Sequence, residues 1–278
     1  MQSSPDAPRE ELTIVVPTLN SERSLNWTLA SLKAAKEIRV IVADSFSTDS
    51  TMDICRRWNV ETISVPPGNM YVAINAGLRK AGTEWVGYVN SDDWIFTRAF
   101  VKMLKKATEG MSDVAYGGAD YVDESGRFLF SMLPSAGPLA VRILRGGYLS
   151  FCQPAAIFRR RTFEALNGFD ERYRAASDFD FFCRAALQNY SFQRVVRYPV
   201  AAFRLHTSQL SFQKPHLDEG EKADMRLRHK LGSSLLDRYA IRLWQLYRLP
   251  WFLQRTFRTY ELSGRLVLKR SNNPPAFE

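Results

Sequence analysis

The chain has 278 residues, 45% hydrophobic and 24% charged, the composition of a globular protein long enough to bury a sizeable core. No apolar run approaches the roughly 20 residues needed to span a bilayer, and Met1–Glu11 is polar, without the apolar core of a signal peptide; a cytoplasmic protein is expected. The net charge of +9 favours an anionic partner without choosing among phosphates, membranes and nucleic acid. Cys55, Cys152 and Cys183 are scattered without metal-ligand spacing, as buried thiols in a reducing compartment would be.

Glu11–Pro17 reads as a first strand, ended by a proline that a central ladder would not accept. A turn at Thr18-Leu19-Asn20-Ser21 leads into a helix from about Ser24 to Ala35, with Leu25, Leu29 and Leu32 on one face. The strand Ile38–Ala43 stops at Asp44, and the short polar residues Ser45–Thr51 suit a loop and helix cap. The next helix carries Met52, Ile54, Cys55 and Trp58, and a short strand Glu61–Val65 ends at Pro66-Pro67-Gly68. Tyr71–Ala81 is helical, packing through Ala73, Ile74 and Leu78. Strands alternating with helices in this way argue for parallel pairing and right-handed crossovers.

The strand Glu84–Val89 ends in Asn90-Ser91-Asp92-Asp93. Ligands of open α/β sheets bind beyond the carboxyl ends of the strands, and two adjacent acids there repel unless a positive group joins them. A hard divalent cation bound to a substrate phosphate would do so; a solvated turn with a cap would also explain Ser-Asp-Asp alone. A helix at about Phe96–Ala107, a strand at Asp113–Gly118 and a hairpin Tyr121–Phe130 turning at Glu124-Ser125-Gly126 follow. Pro154–Phe158 is an apolar strand flanked by Arg159, Arg160 and Arg161. Asp178 opens an amphipathic helix with Phe181, Phe182 and Ala185 as its buried face, where its charge would also suit a helix N-terminus.

Taken together the chain resembles the family 2 glycosyltransferases of the GT-A fold, of the bacterial type that assembles surface polysaccharides and glycolipids. The resemblance is carried, in the family's order, by Val16–Asn20, Asp44–Thr51, Met70–Leu78, Val89–Asp93, Gln153–Arg160 with Gly168–Asp170, Ser177–Arg184 and Phe203–His206. It implies a Rossmann-like nucleotide-binding mixed sheet flanked by helices, and an inverting transfer from a nucleotide-diphosphate sugar, typically of uridine. It further implies that Pro17, Thr18 and Leu19 lie against the base, which Asp44 hydrogen-bonds. Asp92 would contact the ribose, Asp93 and His206 would hold Mn²⁺ or Mg²⁺, Asn75 would support the nucleotide loop, and Asp178 would be the catalytic base. The acceptor implied is a saccharide or lipid-linked hydroxyl. Asn90 departs from the family's usual first Asp, Val65 and Val72 stand where acids are common, and Cys152 where a histidine is; these changes bear on the donor-sugar pocket and acceptor contacts.

The expected division is a flexible 1–10, a catalytic domain 11–214, a basic helical extension 215–270 and a flexible tail 271–278. In the extension Trp244, Leu246, Tyr247, Trp251, Phe252, Phe257 and Leu266 are interleaved with Arg238, Arg242, Arg248, Arg255, Arg258, Arg265, Lys269 and Arg270, and Pro250 should kink it. Such a helix either lies in an anionic membrane interface, placing the protein at the inner face of the cell membrane, or packs its apolar side on the catalytic domain or a second subunit. A nucleotidyltransferase would show a Gly-rich basic loop after the first strand, which Pro17-Thr18-Leu19-Asn20 does not provide. A non-catalytic sugar-nucleotide binder would keep the same acids without turnover. No nucleic-acid partner is expected, because the basic and aromatic residues gather in the C-terminal helices.

Overall fold

The structure, a computed structural model, describes residues 10–207, 209, 213–249, 252–254 and 256–257. Of the flexible ends expected at 1–10 and 271–278 only Glu10 is described; the kink at Pro250, and Trp251, Arg255, Arg258, Arg265, Leu266, Lys269 and Arg270 lie outside the described residues.

Four strands build the first half of the sheet: β1 (Leu12–Thr18), β2 (Ile38–Asp44), β3 (Glu61–Ser64) and β4 (Trp85–Tyr88). They pair in parallel in the order β3-β2-β1-β4. Their apolar residues alternate between two cores. Leu12, Ile14, Val16, Val40 and Val42 enter one, while Val15, Ile41 and Ala43 enter the other, the period of two expected of strands covered on both faces. Helix α1 (Leu25–Lys33) supplies Leu25, Leu29 and Leu32 to the first core, and α2 (Thr51–Arg57) adds Ile54 and Cys55. Helix α3 (Met70–Arg79) covers the second core with Tyr71, Ile74 and Leu78. It approaches β1 so closely that a Cβ at Gly77 would lie 2.7 and 2.8 Å from the two methyls of Val15, so glycine there sets the distance between layers.

Pro17 does not end β1. It pairs in register with Ala43, and Thr18 pairs with Asp44. In a parallel ladder successive residues bond to opposite neighbours. Val15 accepts from Val89 on the β4 side, and Thr18 accepts from Ser45 on the β2 side. The N–H that proline lacks would therefore point towards β4, which has already ended opposite Val15.

The second half comprises β5 (Trp94–Ile95), α4 (Thr97–Glu109), β6 (Val114–Val122), β7 (Phe128–Met132), α5 (Gly137–Arg145), β8 (Ala156–Arg159), α6 (Arg160–Ala165), α7 (Ser177–Leu187) and β9 (Phe192–Arg204). The sheet continues β4-β8-β6-β9-β5, with β7 on β6. Only β6 and β9 are parallel here; β8 is antiparallel to both β4 and β6. The sheet is thus mixed, as a GT-A fold requires. The hairpin turn is closed by Asp123, which accepts from the backbone N–H groups of Ser125 and Arg127 and from the Arg127 guanidinium at 2.7 Å. Neither α5 nor β9 was expected from the sequence. α5 begins against β9 so tightly that a Cβ on Gly137 would fall 1.9 Å from the Phe192 carbonyl oxygen.

After the sheet come the helices α8 (Pro215–Arg228) and α9 (Leu235–Tyr247). α9 turns Ala240, Ile241 and Trp244 inward, with Ile241 over Gly146 at the end of α5 and an Arg142–Asp237 ion pair at 3.3 Å. The extension is therefore docked on the sheet-bearing part through one face. No described helix is long and apolar enough to cross a membrane.

Candidate active site

Because β1, β2 and β4 are parallel, Thr18, Asp44 and the Asn90–Asp93 loop emerge at one edge of the sheet. Asp44 is buried there. Its Oδ1 accepts from the hydroxyls of Thr18 (2.9 Å) and Ser47 (2.6 Å), and its Oδ2 accepts from the Ser47 backbone N–H (2.9 Å). Thr18 is thus spent on orienting Asp44. Pro17 is buried at the strand end, whereas Leu19 is more than half exposed. Across the loop Phe46 is also exposed, held at φ +59°, a backbone region a bulky residue seldom adopts without reason. The two offer apolar surface beside the Asp44 carboxylate.

The loop after β4 is fastened from below by α1. Thr28 donates to the carbonyls of Ser91 (2.9 Å) and Asp93 (2.7 Å), and the hydroxyls of Ser21 and Ser91 are 2.8 Å apart. The two acids then part company. Asp93 is fully buried and accepts from the Arg204 backbone N–H at 2.9 Å, at the end of β9. Burial, then the neighbouring Asp92 charge, push its carboxyl well above the usual range, while the Arg204 N–H pulls the other way. Asp92 is partly accessible, with Oδ2 2.6 Å from His206 Nε2. The sequence expectation placed Asp93 and His206 together at a metal and Asp92 at the ribose; the structure instead brings Asp92 and His206 together and turns Asp93 into the protein.

Asp92 Oδ2 suits a hard cation that takes most of its ligands from phosphate and water, and His206 Nε2, now 2.6 Å from that oxygen, would join it as a nitrogen ligand on exchanging this hydrogen bond for the metal. The buried Asn90 Oδ1 has no hydrogen-bond partner among the described residues, and its Nδ2 donates to Asp93 Oδ2 at 3.4 Å. No cluster of three or more His, Cys, Asp or Glu fit to hold a metal occurs among the described residues.

Asp178 opens α7 and is partly accessible. Its Oδ1 accepts from the Phe179 N–H (2.8 Å) and from the Tyr71 hydroxyl (3.2 Å) of α3. Burial raises its carboxyl above the ordinary range; the Phe179 N–H, Lys222 and Tyr71 act downward and Asp218 upward. Burial likewise raises the Cys152 thiol, and the charges of both Asp93 and Asp178 reach it. Tyr88, at the end of β4, is raised first by burial and also feels both carboxylates. The charges of Asp178 on α7 and Asp93 after β4 thus both reach Tyr88 and Cys152.

Asn75, expected to support a loop near the nucleotide, is bonded to the 168–171 loop. It is buried, with Nδ2 donating to the Phe169 carbonyl (2.8 Å) and Glu171 Oε1 (2.9 Å) while Oδ1 accepts from the Phe169 N–H (2.9 Å). Its polar atoms are committed to the 168–171 loop, so its part is to support that loop. Tyr71 was missed as a site residue: it stands in the Met70–Leu78 stretch, but a tyrosine in the first turn of an amphipathic helix reads as core, and only the fold pairs it with Asp178.

A model of the family described as Glycosyl transferase family 2 matches residues 13–166, which takes in β1 through α6 and both the Asp44 and Asp92 positions. The chain belongs to this family. Among relatives, it is 30% identical over 132 residues to glycosyltransferase GlyA of Streptococcus pneumoniae, covering 45% of this chain and 19% of that one. It is 28% identical over 191 residues to poly(ribitol-phosphate) beta-N-acetylglucosaminyltransferase TarS of Staphylococcus aureus, covering 64% of this chain and 32% of that one. The match therefore spans a third or less of these relatives' length. Among solved structures, TarS residues 1–349 with UDP superposes with a TM-score of 0.61 at 22% identity over 91% of this chain and 72% of that chain. The mannosyltransferase PcManGT of Pyrobaculum calidifontis, with GDP-Man and Mn²⁺, gives 0.53 at 18% over 91% and 85%. Both show the GT-A fold, and the helical C-terminal part falls within it.

Proposed function

We propose that the chain is an inverting, metal-dependent glycosyltransferase that moves a sugar from a UDP-sugar to a hydroxyl of a saccharide or lipid-linked acceptor in cell-surface polysaccharide or glycolipid synthesis. The observation that carries the reading is the pairing of Asp92 with His206 at 2.6 Å, which joins the loop after β4 to the segment just past β9. The UDP complex of TarS supports uridine as the base.

In this reading Asp44, held by Thr18 and Ser47, accepts from the base, and Leu19 and Phe46 flank it. Asp92 and His206 hold Mn²⁺ or Mg²⁺, which when bound neutralises the charge of the departing diphosphate; Asp93 holds the loop through Arg204. Asp178 takes the acceptor's hydroxyl proton as that oxygen bonds to the anomeric carbon. The bond from that carbon to the diphosphate oxygen breaks with its electron pair leaving on the diphosphate, and a single displacement inverts the centre. The raised carboxyl of Asp178 suits a base that must later release its proton near neutrality.

The test is calorimetric titration of UDP, GDP, CDP and dTDP with and without Mn²⁺, followed by UDP release from UDP-glucose and UDP-N-acetylglucosamine. Metal-dependent binding of UDP, with release lost in Asp178→Asn, is expected. Binding without turnover in any donor and acceptor pairing would instead make the chain a sugar-nucleotide binder.

The outer face of α9 belongs to the same reading. Leu236 (63%), Tyr239 (66%), Leu243 (51%) and Leu246 (69%) are exposed in one row, next to the exposed Arg238 and Arg242. Residues 235–270 hold eight basic and two acidic side chains, so the complementary surface is an anionic lipid bilayer, the site of a lipid-linked acceptor at the inner face of the membrane. Sedimentation with phosphatidylglycerol vesicles, but not phosphatidylcholine vesicles, is expected and should weaken in Leu243→Glu. A mass that doubles with concentration, without vesicle binding, would assign the face to a second copy of the chain.

A further inference from the structure

Glu221 lies on α8, well beyond the 13–166 stretch matched to the family, and is only 9% exposed. Its carboxylate accepts from three consecutive backbone N–H groups: Oε1 from Arg174 at 2.7 Å, Oε2 from Ala175 at 2.9 Å and Ala176 at 3.0 Å. These amides immediately precede α7, whose second residue is Asp178. The N-terminus of a helix and the turn before it need acceptors for their N–H groups. The N-cap here is Ala176, which has no side chain to provide one, and a carboxylate from another helix does so with a charge that suits the helix dipole.

We propose that Glu221 is a positioning residue for Asp178: by gripping the 174–176 backbone, α8 sets the Asp178 carboxylate against Tyr71 and over the site. The inference rests on the reading of Asp178 as the catalytic base. The Tyr71 hydroxyl approaches both Asp178 Oδ1 at 3.2 Å and the Ala175 carbonyl at 3.4 Å, so the segment Glu221 grips is the one that meets Tyr71. Two further contacts stiffen the clamp on either side. The Tyr173 hydroxyl donates to Asp224 Oδ2 at 2.7 Å, and His229 Nε2 lies 2.8 Å from Asp180 Oδ1. The C-terminal extension thereby contributes to the catalytic geometry as well as to any surface it meets.

The groups around Asp178 define what a loosened clamp would change. Tyr71 of α3, Tyr88 of β4, Cys152 before β8, Cys183 of α7, and Asp218 and Lys222 of α8 all act on it or feel its charge. Burial among them is the leading influence, so admitting water should return the carboxyl towards its ordinary range.

The experiment uses the full chain with Glu221→Ala, Glu221→Gln and Asp178→Asn, reading hydrogen exchange together with UDP release from UDP-glucose and UDP-N-acetylglucosamine in Mn²⁺. In Glu221→Ala the amides of Arg174, Ala175 and Ala176 should exchange at least about tenfold faster while those of β1 and β2 are unchanged. Turnover at saturating donor should fall about tenfold or more, with KM for the donor within about twofold. Its acidic limb should move, which a mere loss of folded protein would not cause. Glu221→Gln keeps one acceptor oxygen and the side chain's volume, so it should fall between, and it serves if the alanine variant fails to fold. Unchanged exchange in both variants overturns the inference, as does faster exchange with turnover and limb unmoved. If Asp178→Asn is inactive while both Glu221 variants behave as wild type, only the inference fails. Undiminished release in Asp178→Asn removes the base assignment itself, and no release by the wild type from either donor counts against the transferase reading and this one with it.

Discussion

Tyr71→Phe removes one hydroxyl and leaves the ring. That ring lies 5.6 Å from Phe169 and 6.5 Å from Tyr88, contacts phenylalanine keeps, so the melting temperature should fall by no more than about 3–6 °C. The hydroxyl's bond to Asp178 is lost. A hydrogen bond to a charged group contributes about 1.5–3 kcal/mol; at 3.2 Å, with the Ala175 carbonyl competing for the same proton, the lower end applies. About 1.4 kcal/mol is a factor of ten in a protonation equilibrium. Because the bond stabilises the ionised carboxylate, its loss raises further a carboxyl that burial already raises. A base must be ionised to act, so the acidic limb of turnover should shift to higher pH. At a fixed pH within that limb the ionised fraction should be about tenfold smaller, with the plateau rate within about threefold. The assay is UDP release at saturating donor from mildly acidic to mildly alkaline pH, beside wild type. A limb that stays in place, or moves to lower pH, refutes the assignment of Asp178 as the titrating base held by Tyr71.

Asp92→Ala and His206→Ala should each weaken Mn²⁺-dependent tightening of UDP about tenfold or more in calorimetry, whereas Asp93→Asn, which can still accept from the Arg204 N–H, should retain it. Retention in both alanine variants with loss in Asp93→Asn would return the metal to Asp93. Asn75→Ala strands the buried N–H and C=O of Phe169; at about 1–3 kcal/mol for each unpaired group, a loss of about 3 kcal/mol should lower the melting temperature by about 6–12 °C. Asp178→Asn should melt higher than wild type at neutral pH. A carboxyl raised on folding contributes stability below its unfolded pKa of about 3.9 and loses it as pH rises through the folded value. The advantage of asparagine should therefore disappear in acid, and melting curves across pH would expose the opposite sign.

The parts legible in the sequence share a physical reason. β1, β2 and β4 are covered on both faces, so they read as nearly continuous apolar runs, and each ends abruptly in polar residues at the edge where ligands bind. Asp44 and Asp92 could be picked out on that ground, and Asp178, at the start of α7, by the family's motif order. β9 could not. Arg194, Arg197 and Pro199 interrupt its apolar pattern, and it follows β6 only through register shifts at Gly117 and Gly118. There a Cβ on Gly117 would come within 3.0 Å of Val196 and Val200. Its strand character comes from its partner, which local pattern does not encode.

The same limit separates Asp92 from Asp93. The two are adjacent and identical in side chain, so no local property ranks them for a metal. What decides is the Arg204 N–H, 111 positions away, which takes Asp93 inward, and His206, 114 positions from Asp92, which meets the other carboxylate. Asn75 is committed to Phe169, 94 positions on. Glu221 is one of four acids in α8, with Asp218, Glu219 and Asp224, and only the three amides 45 to 47 positions earlier single it out. Residues at strand ends can be read locally because the sheet itself delivers them to the site. Residues that hold those groups in place are specified by long-range backbone partners, and an isosteric change that breaks one such bond is the means of telling the two kinds apart.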